Sequence, residues 1–269
     1  MIQVNDLNQL PWGENPVPDR REAERIYQGA LDAIADAEGD YRKLTPVIDD
    51  LLKLPIDLAL SGVARTILTL SYLQGGLYSP VGVQAALAYT SAAVNLDPLS
   101  VDAWIMRLYV ATSAGDIRYG LIAKAALKQA RALNPNHPRL PDAESSYYKR
   151  YGNKQQQEVA IRRMIDLAPS PVARRAGYDR LAKYYETYGR LDDTLATYQE
   201  YFRQYPQGSA WTWHNYSIAL MQAKRYQEAL DASNRALVFF EFSNARDINN
   251  EARKQLGMPP VEPLIEVEG

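Results

Sequence analysis

The chain has 269 residues, 46% of them apolar and 23% charged, with a formal net charge of −2. That length is ample for a buried core, and the near-neutral balance supplies no global field to draw the chain to nucleic acid or a membrane. With no cysteine, disulfides, thiolate catalysis, Cys-ligated zinc and a thiol-linked lipid anchor are all excluded.

Residues 1–17 hold Pro11 and Pro16 and no helical period, and are expected to form an extended arm. They lack the basic start and apolar core of a secretory signal, and no apolar run in the chain approaches the length of a membrane span. On these grounds the cytoplasm is the default location. A helix is expected from about Pro18, with Ile26, Tyr27, Ala30, Leu31 and Ile34 on one face and a break at Gly39-Asp40. Further helices are expected from Thr45 to Leu54, Ile56 to Gln74, and Pro80 to Pro98. Beyond Pro98 helices are expected in pairs: 99–114 with 117–133, 138–151 with 154–168, 171–188 with 191–205, and 209–223 with 226–240. A charged stretch from Asn244 to Leu256 reads as an end helix that shields the last apolar face. The Pro-rich acidic segment 258–269 reads as a flexible tail.

Two markers keep time through this region. Pro98, Pro135, Pro169 and Pro206 are 37, 34 and 37 residues apart, and Gly115, Gly152 and Gly189 are 37 apart. Proline cannot continue a helix and glycine ends one without strain, so each unit reads as helix, Gly turn, helix, Pro stop. A period of this length means stacked helical hairpins. Charge follows its own division. Residues 1–100 hold 7 basic against 13 acidic residues, residues 101–257 hold 23 against 16, and Glu262, Glu266 and Glu268 close the chain. Such a division fits either solvated helix faces, the commoner case, or an acidic front and a basic middle that meet different partners.

The segment from Ala210 to Phe240 resembles the tetratricopeptide repeat (TPR), whose pattern is W-x2-L-G-x2-Y, A-x3-F, P. Trp213, Tyr216, Ser217 and Leu220 match its first helix, and Tyr226, Ala229, Ser233 and Ala236 its second. Tyr178, Gly189, Tyr198 and Pro206 mark the preceding unit; Gly152 and Pro169 the one before; Trp104, Gly115 and Pro135 the earliest clear one. The resemblance implies an all-α fold, a right-handed superhelical α-solenoid of TPR-like helix-turn-helix repeats. About five repeats would cover 62–243, between an irregular helical cap at 18–61 and a capping helix at 244–257. It also implies a non-catalytic adaptor that grips a peptide or partner protein in a concave groove lined by first helices, in the assembly of a larger complex. The groove candidates are Tyr109, Arg139, Lys149, Arg150, Lys183, Trp211, His214, Ile218 and Met221, with an acidic segment as one suitable partner. The family's carboxylate clamp for chaperone tails does not transfer, because only Asn215 matches it.

Catalytic and cofactor chemistry finds no support. His137 and His214 lack further ligands at metal spacing, and Asp49-Asp50 and Asp192-Asp193 point about 100° apart on a helix. GxxxxGK, GxGxxG and GxSxG do not occur. No metal and no cofactor are expected. The rival reading is an RNA-binding helical repeat that uses the basic middle and its tyrosines; steep salt dependence would distinguish it.

Overall fold

In the computed structural model, residues 19–35, 47, 50–51, 53–75, 80–114, 117–239 and 243–261 are described. Gly115, the arm 1–17 and the tail beyond Val261 lie outside them. Among the described residues all regular structure is helical. The helices are α1 (Arg20–Ala35), α2 (Ile56–Gly75), α3 (Pro80–Leu96), α4 (Val101–Ser113), α5 (Gly120–Leu133), α6 (Leu140–Arg150), α7 (Lys154–Asp166), α8 (Pro171–Thr187), α9 (Leu191–Gln204), α10 (Ala210–Gln222), α11 (Tyr226–Phe239) and α12 (Ser243–Gln255). One 3-10 turn, Ile117–Tyr119, leads into α5. The expected seam at residue 61 falls inside α2.

The proline beat has a local cause. Asp97 Oδ1 accepts from Leu99 N at 3.0 Å, and Asn134 Oδ1 accepts from Asn136 N at 3.0 Å. Each side chain thus closes a turn around the proline that follows it. Three of the first helices that follow are capped by a side chain, Ser100 accepting from Ala103 N, Ser170 from Ala173 N and Ser209 from Thr212 N, while α6 after Arg139 has no side-chain cap.

The glycine beat has a cause as well. Gly152 and Gly189 have φ of 75° and 69°. The next amide closes back on the helix, Asn153 N to Tyr148 O at 3.0 Å and Arg190 N to Tyr185 O at 2.9 Å. The third hairpin of this kind does the same with a non-glycine residue. Lys224 has φ 57°, and Arg225 N donates to Leu220 O at 2.9 Å. A Cβ is disfavoured in that conformation. Lys224→Gly is therefore expected to raise stability by about 0.5–1 kcal/mol, read as a higher denaturant midpoint at unchanged m-value.

The chain divides into two compact units, 1–177 and 178–269, with the division inside α8. In the first unit α2 pairs with α3, α4 with α5 and α6 with α7, while α2 packs on α4 and α4 on α6. First helices thus stack on first helices. Ala103, Ala123, Ala126 and Ala130 let these helices approach, around Leu68, Leu108 and Leu140. A second cluster under α1 is built on Tyr27, Ile34, Leu51 and Leu58. In the second unit α10 pairs with α11, and α12 packs on both. Its core joins Tyr198, Trp213, Leu220, Ala229, Ala236 and Ala252. Tyr178 meets Tyr201 edge-on at 6.1 Å and accepts a hydrogen bond from Gln204. Residues 258–261 return along α12: Val261 N donates to Asn250 Oδ1 at 2.8 Å and Met258 N to Arg253 O at 2.8 Å.

Candidate functional site

In the first unit, α1 lies across the N-terminal ends of successive first helices. Arg20 at its start donates to both oxygens of Asp57 on α2, at 2.9 and 3.1 Å. Buried Asp57 also accepts from Ser100 Oγ, the cap of α4, at 2.6 Å. Two turns further along α1, Tyr27 is fully buried with the Arg139 guanidinium 5.0 Å from its ring centre, and Gln28 Oε1 accepts from Arg139 Nη1 at 2.8 Å. Arg139, at the start of α6, also grips buried Asp102 of α4 at 2.7 Å. At the far end Asp32 accepts from Ser170 Oγ, the cap of α8, at 3.0 Å. From Arg20 to Asp32 the helix advances about 18 Å, at about 1.5 Å per residue, and touches the starts of α2, α6 and α8 in order.

This placement determines what the expected groove residues do in the first unit. Arg139 is committed to Asp102, Gln28 and Tyr27. Ile105 is buried. Tyr109 is half-buried, with the Arg65 guanidinium 4.2 Å over its ring. Lys149 and Arg150 are exposed in the last turn of α6, where cations complement the helix dipole. Other basic residues of the middle region have internal partners too. Arg131 and Arg163 hold buried Glu144 from two sides at 2.6 and 2.9 Å, and Arg162 pairs with Glu158.

In the second unit, Trp211, His214, Ile218 and Met221 fall at helical spacing along α10. Trp211 is 43% exposed, while His214, edge-on to it at 5.9 Å, is buried. Burial pushes the His214 pKa below its ordinary value, so the imidazole is neutral at pH 7. Ile218 and Met221 are half-buried, and Met221 packs on the core. Lys183 on α8 is exposed, with its ammonium 2.9 Å from Glu186. Among the repeat positions, Tyr178, Tyr198, Trp213, Ala229 and Ala236 are buried, Trp104 and Tyr226 half-buried, and Pro135, Pro169 and Pro206 exposed in turns.

The contacts of α1 were not anticipated from the residues, although a signal was present. Arg20–Asp57 and Asp102–Arg139 are both separated by 37 residues, the period of the hairpins. Among the described residues no group of three His, Cys, Asp or Glu is arranged to hold a metal, and no helix is long and apolar enough to cross a membrane.

No protein-family model matches the chain, and no curated protein matches it. Solved structures do. A thermophilic TPR protein of Thermus thermophilus, TTC0263, superposes with a TM-score of 0.56 at 22% identity over 74% of this chain and 99% of that one. PilF of Pseudomonas aeruginosa superposes with a TM-score of 0.56 at 13% identity over 75% and 85%. Cut9, from an APC/C hetero-tetramer of Cut9 and Hcn1, superposes with a TM-score of 0.56 at 15% identity over 95% of this chain and 46% of that one. The fold is that of TPR-like helical repeat proteins.

Proposed function

We propose that this chain is a non-catalytic adaptor that holds a segment of a partner protein against the first-helix face of its second unit, during assembly of a larger complex. The observation that carries this reading is Trp211. A large aromatic side chain stands 43% exposed on a first helix whose neighbouring residues Thr212 and Trp213 are buried. Exposed aromatics of this kind are frequent anchors of protein interfaces. Ile218 and half-buried Met221 extend the stripe along α10, Met221 with a side chain that adapts to varied partners. Lys183 supplies a cation for an acidic segment. In the first unit Tyr109, Lys149 and Arg150 remain candidates, while Arg139 acts through the seat of α1.

Partner capture with tagged chain from the native cell tests the reading. Trp211→Ala is expected to cut recovery of the specific partner at least tenfold while thermal unfolding moves by less than about 0.5 kcal/mol, as befits an exposed residue. Equal recovery by variant and parent would remove the site.

A further inference from the structure

A cleft of about 670 Å³ lies between α5 and α6, lined by Leu121, Lys124, Lys128, Arg131, Tyr147 and Tyr148. It is carried by a second helix, so it stands apart from the site proposed on α10 and does not rest on that reading. Its chemistry is mixed in an informative way. Leu121 is 81% exposed, and Ile117 on the preceding turn is similarly open. Lys124 and Lys128 are exposed and have no acidic partner among the described residues. Arg131, by contrast, is already satisfied by Glu144 and by the Tyr148 hydroxyl. The two lysines are four residues apart on α5, which sets them about 6 Å apart on one face. Leu121 lies one turn earlier on that face.

We propose that this cleft binds an extended acidic peptide in which a large aliphatic residue is followed by carboxylates two and four positions later. In an extended chain alternate residues share a face at about 6.8 Å intervals. The two carboxylates then meet Lys124 and Lys128, while the aliphatic side chain covers Leu121 and Tyr147. Single-stranded RNA fits less well. Base stacking needs open aromatic faces. Tyr147 packs against Tyr148 and Tyr151 at 5.6 and 4.6 Å, and the Arg131 guanidinium sits 5.8 Å over Tyr148.

This chain carries the required spacing at Leu264, Glu266 and Glu268, which supplies a probe. A fluorescein-labelled peptide copying residues 259–269 is titrated with the full chain at low salt and followed by anisotropy. Saturable binding is expected. Lys124→Glu with Lys128→Glu should weaken it at least tenfold, as should Leu121→Asp or a peptide carrying Glu266→Gln and Glu268→Gln. All three side chains are exposed, so circular dichroism of the variants should match the parent. Absence of saturable binding, undiminished binding by the double lysine variant, or tighter binding of a labelled oligouridylate would each overturn the proposal.

Discussion

Replacing Trp213 by alanine is expected to cost about 3–5 kcal/mol of unfolding free energy, the range for deleting a large buried aromatic. The indole is only 7% exposed and is held in three distinct ways. It stacks on Phe202 with centroids 3.5 Å apart and planes 14° off parallel. The Arg235 guanidinium lies 4.7 Å over its ring. Its N–H donates to Gln207 O at 2.8 Å, six residues upstream, which ties the helix to the turn that precedes it. The turn is shaped around the ring: Gly208 has φ 64°, and a Cβ there would stand 2.7 Å from both Phe202 and the indole nitrogen. Trp213→Phe keeps the stacking and loses the hydrogen bond, so it should cost only about 1–2 kcal/mol. Trp104 makes the same upstream bond, to Pro98 O at 2.9 Å, but is half-buried, and Trp104→Ala should cost less than Trp213→Ala. Urea denaturation of the three variants checks the order, and a Trp213→Ala loss under about 1 kcal/mol would show that the ring is not the keystone of the second unit.

Arg139→Ala is expected to cost a similar amount, about 3–5 kcal/mol, for an electrostatic reason: removing one partner of a buried ion pair leaves the other charge without compensation. Asp102 is only 3% exposed and takes both Nε and Nη2 of Arg139 at 2.8 and 2.7 Å. The same guanidinium holds Gln28 and covers Tyr27, so its loss should also loosen α1, seen as faster amide hydrogen exchange across that helix. Arg139→Lys should recover little, because an ammonium cannot span three partners in a plane. Asp102→Leu combined with Arg139→Leu removes both charges and should cost less than Arg139→Ala alone. His137 adds a pH signature. Its Nε2 is 3.6 Å from Asp102, and burial, the largest influence, keeps its pKa below the ordinary value. Asp102 raises it and Arg139 depresses it further, so removing Arg139 should move the His137 pKa upward. A histidine whose folded pKa lies below its unfolded value of about 6.5 costs the fold stability as pH falls through that value, and removing Arg139 relieves part of the cost. The deficit of Arg139→Ala should therefore be smaller at pH 5.5 than at pH 8.

The hairpins were legible because their punctuation is local. An Asx-Pro turn, a serine cap and a left-handed residue act within four or five positions, and each leaves a mark in the residue order. Position 224 shows the limit: the backbone repeats the glycine geometry with a lysine, and no residue pattern signals that. The burial of His214 was less legible, because helical spacing tells which residues share a face but not what covers it. The seat of α1 was least legible of all. Its bonds join residues far apart in the chain, and segment 18–61 lacks the proline and glycine beat that organises the rest.

Stacked hairpins ordinarily depend only on their nearest neighbours, so such arrays can begin folding anywhere and fray from either end. The strap of α1 changes this for the first unit. Asp32 finds Ser170 across 138 positions of chain, and Gln28 finds Arg139 across 111. During synthesis α1 leaves the ribosome long before these polar partners exist, although Tyr27 and Ile34 can already pack on Leu51 and Leu58. Closing so distant a contact is slow, because chain entropy is lost before the contact is gained. The strap thus turns a row of semi-independent modules into a body whose completion waits for its last helix: a nascent chain halted before residue 170 has its first hairpins but lacks the bond that fixes the far end of α1.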